Sequence, residues 1–293
     1  MRRLTRVLAT AIFAAAVLVL IGTGTPLRAS ISGGQNGFLL GGTAQNALDP
    51  ENSSNQVIRI NTTPPPECSA AGGFTNCPAG TVSRHLDAKI TQLDNLLEFK
   101  SYFLNRSCGG GSPRIQLLID VNGDGMADGN AFGYTAPPFA GCPPNRWQYD
   151  DLTDELPRWD ASQLVASGFP SALIICSNPL FAANPAVCPF QTHSGYIPWN
   201  VFETVLATVF PLHTVCSGAL VDDSSWMAGA SGVAYYDVIS IGKATWTNWG
   251  DTAGRGFARG CVEPDHDDDH HDGDDNHDHK VDDGDRDWRE RRN

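Results

Sequence analysis

Four oxygen-bearing side chains stand at positions 1, 3, 5 and 9 of one short stretch, Asp120-Val-Asn122-Gly-Asp124-Gly-Met126-Ala-Asp128-Gly129. Three carboxylates drawn toward one point repel each other unless a cation neutralises them. Glycines at 123, 125 and 129 let the backbone curl so that those oxygens turn inward. Calcium, which takes roughly six to eight hard oxygens in flexible geometry, suits such a loop better than magnesium. The expected ligands are Asp120, Asn122, Asp124, Met126 and Asp128, with Met126 counted because calcium also accepts backbone carbonyls. An EF-hand would need Glu at position 12, where Ala131 stands, and strand-like residues rather than helices flank the loop. The plain alternative is an Asx-Gly hairpin turn without a metal. Millimolar extracellular calcium fills even a weak site, so a structural ion is expected rather than a catalytic one.

Cysteine supplies a second chemistry. All eight (Cys68, Cys77, Cys108, Cys142, Cys176, Cys188, Cys216 and Cys261) follow the apolar N-terminal run, and an even number in an exported chain predicts four disulfides. Cys108 and Cys142 lie symmetrically about Gly125, the middle of a predicted hairpin, so antiparallel register would set them opposite one another. Cys68 with Cys77 and Cys176 with Cys188 would close short Pro/Gly/Asn-rich loops, leaving Cys216 for Cys261. A zinc site is the weaker reading, since no C-x-x-C occurs.

The remaining candidates are less specific. Exposed tryptophans could stack on pyranose rings, and Trp246 and Trp249, in Thr245-Trp-Thr-Asn-Trp-Gly250, have the most polar setting among Trp147, Trp159, Trp199, Trp226, Trp246 and Trp249. For each of them core packing is the competing role. Carboxylates cluster at Asp150/Asp151, Asp154/Glu155 and Asp222/Asp223, as glycoside hydrolysis would require, yet the first two clusters fall in polar loop-like sequence. Gly229-Ala-Ser231-Gly lacks the spacing of a serine nucleophile, and His85, His193 and His213 have no triad context. No catalytic residue is assigned, and a binding protein is favoured over an enzyme.

The N-terminus decides the compartment. Arg2, Arg3 and Arg6 precede an uncharged apolar run, Val7 to Gly22, too short to span a bilayer, which marks residues 1–29 as a secretory signal cleaved after Ala29 or slightly earlier; retention as an N-terminal anchor is the alternative. No later stretch is long and apolar enough to span, so the mature chain is expected to be secreted, to the medium, cell surface or periplasm. Residues 30–262 hold 19 acidic against 11 basic groups, a balance that gives no electrostatic reason to seek nucleic acid.

That body reads as strands joined by turns. Leu97, Phe99, Ser101 and Phe103 alternate with polar neighbours, as do Ile115, Leu117 and Ile119. Thr214 to Val221 and Val233 to Ile241 are β-rich, and Ser171 to Cys176 reads as a buried strand. One helix is predicted, capped by Asn200 with Glu203 at the capping-box position, carrying Val201, Val205 and Val209, and stopped by Pro211. The expected fold is mainly β: a single disulfide-stapled, jelly-roll-like β-sandwich with one or two short helices. Residues 263–293, nearly all Asp, His and Gly from Asp265 to Asp287, form a tail with nothing to bury and should be disordered. Its His266, His270, His271, His277 and His279 could capture zinc, copper or nickel; a merely solvating acidic tail is the alternative.

The loop Asp120 to Asp128 resembles the D-x-N-G-D-G-x-x-D loops of FG-GAP and thrombospondin type 3 repeats, a resemblance that implies the calcium ion and not the fold. More widely, Cys108-Gly-Gly-Gly-Ser-Pro-Arg114 through Asp120, Gly129-Asn-Ala-Phe-Gly-Tyr134, Val221-Asp-Asp-Ser-Ser-Trp226 and Tyr236-Asp237-Val-Ile-Ser-Ile-Gly242 resemble, in order, segments of uncharacterised secreted bacterial β-sandwich proteins. The strand holding Asp237 is similar to the last strand of jelly-roll carbohydrate-binding modules. These resemblances imply the fold more than the function. Taken with the residues above, the expected function is a secreted, calcium-stabilised binding module whose partner is a glycan or other cell-surface component. The alternatives are a secreted hydrolase acting on polysaccharide and a metal-binding protein acting through its tail.

Overall fold

The computed structural model describes residues 37–65, 68, 77–109, 111–135, 141–178, 196–226, 231–258 and 261, all within the unit Met1–Glu263. The signal segment, Cys188 and the histidine tail lie outside the described residues.

Fourteen strands are described: β1 (Phe38–Gly42), β2 (Gln45–Leu48), β3 (Gln56–Asn61), β4 (Gly80–Ala88), β5 (Leu97–Leu104), β6 (Arg114–Asp120), β7 (Gly129–Tyr134), β8 (Trp147–Asp151), β9 (Pro157–Asp160), β10 (Ile197–Pro198), β11 (Thr214–Asp222), β12 (Val233–Ile241), β13 (Ala244–Trp246) and β14 (Thr252–Arg255). They build two sheets. The larger runs β10-β9-β7-β6-β11-β4-β1-β14, the smaller β2-β3-β12-β5-β8, with β13 added beside β12. Every pairing is antiparallel except β1 with β14.

Period-two patterning produces the sandwich. Ile115, Leu117 and Ile119 on β6 of the larger sheet and Leu97, Phe99 and Phe103 on β5 of the smaller are fully buried, sharing one core with Ile58 and Ile60 of β3 and Tyr236 and Ile241 of β12. At Gly218 an added Cβ would stand 2.5 Å from Ile241 Cγ2, so no larger residue fits there between the sheets without a shift. The disulfides Cys68–Cys77, Cys108–Cys142 and Cys216–Cys261 are formed. The second does not arise from the β6–β7 hairpin. That ladder is centred on Asp124 and ends at Arg114↔Tyr134, well short of either cysteine. The bridge instead prolongs the β5–β8 pair beyond Tyr102↔Trp147, where Asn145 N–H donates to Phe103 O at 2.8 Å.

Two elements differ from the sequence reading. Ser171 to Cys176 is not a strand: Ala172–Ser177 is helix α1, capped by the Ser171 hydroxyl, and Leu173 and Ile174 are exposed at 72 % and 59 %. A short apolar run carries no periodicity that separates strand from helix, and the Pro170-Ser171 start decided it. Helix α2 spans Trp199–Val209 with Pro198 as its N-cap and no side-chain cap bond, so Asn200 is already inside it. Ile197 and Pro198 pair with β9, and the sheet itself delivers the chain into the helix. Trp199, Phe202, Val205 and Leu206 form its buried stripe, while Val209 is exposed.

Candidate functional site

The loop from Asp120 to Asp128 is the tip of the β6–β7 hairpin, and its acids organise its own backbone. Asp120, only 2 % exposed, accepts Gly123 N–H at 2.6 Å on Oδ1 and Gly125 N–H at 2.8 Å on Oδ2. Asp128 Oδ2 accepts Val121 N–H, Asn122 Oδ1 accepts Asp124 N–H and Asp124 Oδ1 accepts Met126 N–H. Gly123 and Gly125 have φ of 80° and 87°, and a Cβ at Gly123 would stand 2.8 Å from that of Leu212. Among the described residues no three His, Cys, Asp or Glu side chains gather closely enough to hold a metal. Three carboxylates and an amide oxygen are the donor types that calcium takes, but here the oxygens of Asp120 are turned to loop N–H groups and do not converge with the other acids.

Below the tip, the two strands present one face to the outside of the larger sheet. Ala131 and Gly133 point inward, where Gly133 leaves room for the Trp159 ring. Asn130, Phe132 and Tyr134 therefore point outward, beside Arg114 and Gln116 of β6. Phe132 and Tyr134 lie with ring centroids 6.4 Å apart, and Tyr196, just before β10, meets Tyr134 edge-on at 5.3 Å. Arg114 stacks its guanidinium 5.3 Å from the Phe132 centroid and clamps Asp223 through two bonds of 2.7 and 2.8 Å. Along the other side runs a chain of amides: Gln116 Nε2 donates to Asn130 Oδ1 at 2.9 Å, and Asn130 Nδ2 to Gln163 Oε1 at 3.0 Å.

The face therefore combines half-buried rings with neutral, bidirectional hydrogen-bonding groups. Burial, then the neighbouring Asp160 carboxylate, pushes the Tyr134 and Tyr196 phenols up, so both stay neutral donors and acceptors. Such a surface stacks on the apolar face of a polyol ring while amides and hydroxyls read its oxygens.

The carboxylate pair singled out in the sequence is built differently from a hydrolytic pair. Asp222 is fully buried, taking Arg106 Nη2 at 2.5 Å, the Tyr236 hydroxyl at 2.6 Å and the Ser224 and Ser112 hydroxyls at 2.7 and 3.1 Å. Asp223 is held by Arg114. Asp154 is likewise committed to Arg158. Trp246 and Trp249 do not make one platform. Trp246 is wholly buried with its Nε1 bonded to Thr252 Oγ1, and Trp249 is 40 % exposed. The short strand β13, paired with β12, turns Trp246 into the core, which the polar flanks of the sequence did not reveal. The rings at Phe132, Tyr134 and Tyr196 were missed by a reading centred on tryptophan, although the alternation Asn130, Phe132, Tyr134 after a turn carried the signal.

No family model and no curated protein matches this chain. Among solved structures, the chain is similar to the C-terminal family 22 carbohydrate binding module of Clostridium thermocellum Xyn10B. The identity is 12 % over 73 % of this chain and 92 % of that one, and the TM-score is 0.26, too loose a superposition to speak for a ligand.

Proposed function

We propose that this protein is an exported binding module for uncharged glycans, with its ligand face on β6 and β7 and a structural calcium at the hairpin tip. The observation that carries this reading is the strip Phe132–Tyr134–Tyr196 running beside the amides of Gln116, Asn130 and Gln163. Half-buried rings beside paired amides on one sheet face answer to sugar rings and their hydroxyls. In this reading Asp120, Asn122, Asp124, Asp128 and the Met126 carbonyl hold calcium, which would lock the register of the two strands that carry the face. Export is supported by the disulfides; among the described residues no helix is long and apolar enough to cross a membrane.

Native gels cast with hydroxyethylcellulose, xylan, β-glucan or galactomannan test the reading. The chain should be retarded by at least one of them, and Phe132→Ala or Tyr196→Ala should weaken that retardation roughly tenfold with near-ultraviolet dichroism unchanged. Passage through every gel, or retardation indifferent to both substitutions, would remove the proposal.

A further inference from the structure

The opposite side of the sandwich carries a second aromatic strip. On the outer face of the smaller sheet the strand register lines up Gln45, Arg59, Tyr235, Tyr102 and Trp147, one from each of five adjacent strands. Neighbouring strands lie about 4.8 Å apart, so the three rings extend over roughly 10 Å. The Tyr102 centroid is 5.6 Å from that of Trp147 and 6.2 Å from that of Tyr235. Tyr102 is the covered centre of the strip, Trp147 and Tyr235 are half-buried, and Tyr149, next along β8 on the same face, is 55 % exposed.

What distinguishes this strip from the β6–β7 face is its charge. The turn between β2 and β3 brings Asp49 to its edge, where the carboxylate accepts Trp147 Nε1 at 3.3 Å, Glu51 N–H at 2.8 Å and Asn55 Nδ2 at 3.1 Å. The same Asn55 amide donates to Asp237 Oδ2 at 3.2 Å, and Asp237 Oδ1 accepts Val238 N–H. Two carboxylates thus share one neutral donor. Asp49 is nine-tenths buried, and neither it nor Asp237 belongs to an ion pair among the described residues. Glu51 and Glu98 add further negative charge, against Arg59 and Lys100 on the strands and Arg146 at the rim. A buried carboxylate met by neutral donors alone favours a cationic neighbour, and an ammonium beside an aromatic face is favoured again by the ring quadrupole.

We propose that this face is a second binding site for glycans that carry protonated amino groups, such as polymers of glucosamine. Trp147 and Tyr235 stack on the sugars, Tyr102 packs between them as the buried support, and Asp49 and Asp237 receive the ammonium. The site is separate from the β6–β7 face and does not depend on that face binding anything. It makes the module bivalent, with ligand surfaces on both sides of the sandwich.

The test is calorimetric titration of the full chain, at mildly acidic pH, with the hexamers of glucosamine, N-acetylglucosamine and glucose. The acidic tail attracts any polycation, so the decisive comparison is with Trp147→Ala, Tyr149→Ala and Asp49→Asn, all of which retain it. The glucosamine hexamer should bind wild type and lose roughly tenfold in Trp147→Ala, and Asp49→Asn should remove the preference over the N-acetylated hexamer. Tyr149→Ala, an exposed substitution, guards against a folding defect and should weaken binding less than Trp147→Ala. Glucosamine binding that is equal in wild type and Trp147→Ala would overturn the proposal as diffuse attraction to the tail. Tighter binding of the neutral hexamers at this face would overturn the amino-group assignment. Glucosamine binding that is lost in Phe132→Ala and kept in Trp147→Ala would overturn the second site and leave the first reading standing.

Discussion

Arg106 and Asp222 form an ion pair of 2.5 Å between side chains that are 2 % and 0 % exposed, so the interior of the sandwich holds two full charges. The Tyr236 hydroxyl and the Ser224 and Ser112 hydroxyls complete the carboxylate, while Arg106 also bonds Ser224 Oγ and lies 4.9 Å from the Phe103 centroid. Removing one partner leaves the other charge buried without compensation. Arg106→Met is therefore expected to cost about 3–5 kcal/mol in urea unfolding, against about 1–2 kcal/mol for Tyr236→Phe, which removes one hydrogen bond to the carboxylate. Equal, small losses in both variants would mean that water reaches the cluster.

His213 is 2 % exposed and neutral by construction: its Nδ1 faces Phe210 O at 2.6 Å and donates, while Nε2 accepts Ile90 N–H at 3.0 Å. Burial holds its pKa below the usual histidine value, with Lys89 adding to the depression and the Phe210 carbonyl opposing it. The folded state then binds fewer protons than the unfolded one. The contribution is fully present above the unfolded value near pH 6.5 and is lost as pH falls through the folded value. A melting series between pH 7.5 and 5 should show this loss in the wild type and a flatter profile in His213→Gln.

Asp150 has the opposite sign. Burial raises its carboxyl to about 6 from 3.8, against the pull of Arg158 and the Ser101 hydroxyl. Here the folded state keeps its proton longer, so stability declines between about pH 4 and pH 6 as the buried group ionises, by up to about 3 kcal/mol. Asp150→Asn should therefore be more stable than wild type at pH 7.5 and indistinguishable from it at pH 3.5. A variant less stable at pH 7.5 would show that the ionised carboxylate is well solvated or paired.

The calcium proposal separates Asp120 from Asp124. Asp120 already caps Gly123 and Gly125 from a buried position, so Asp120→Ala should lower the melting temperature even in chelator. Asp124 is exposed and, among the described residues, its carboxylate bonds only Met126 N–H, so Asp124→Ala should change little in chelator. Calcium at a hundredfold excess over its Kd should stabilise the wild type by about 2.7 kcal/mol and the Asp124→Ala chain by less. The same melting temperature with calcium and with chelator would reduce the loop to a self-capped turn.

Loop length ranks the disulfides. Cys108–Cys142 closes 34 residues and Cys68–Cys77 closes 9, so paired serine substitutions should cost about 4 and about 2.5 kcal/mol respectively on chain-entropy grounds. Denaturant midpoints of the two double variants check the order.

For the tail, deletion of residues 263–293 should abolish zinc and copper binding in equilibrium dialysis, as the clustering of His266, His270, His271, His277 and His279 implies. Undiminished binding by the shortened chain would place any metal in the body.

Local signals were enough to identify the strands of the core. Alternation at Leu97–Phe103 and Ile115–Ile119 reports a half-buried strand wherever it occurs, and Asn/Asp/Gly spacing reports a turn, because both depend on neighbours in the chain. Cys68–Cys77 followed from the same short-range geometry, whereas Cys108–Cys142 is set by the register of β5 with β8 and Cys216–Cys261 joins positions 45 residues apart. What the sequence did not determine depended on partners far along the chain. Among the described residues no strand pairs with 172–177, which form a helix, Trp246 is buried because β13 folds back on β12, and Asp222 is enclosed because Arg106 arrives from the end of β5. Both aromatic strips belong to this second kind. Tyr134 meets Tyr196, and Tyr235, Tyr102 and Trp147 line up, only once sheet register has fixed which residues of separate strands stand side by side. Pairing of that kind is set by the packing of the whole core, and no local pattern encodes it.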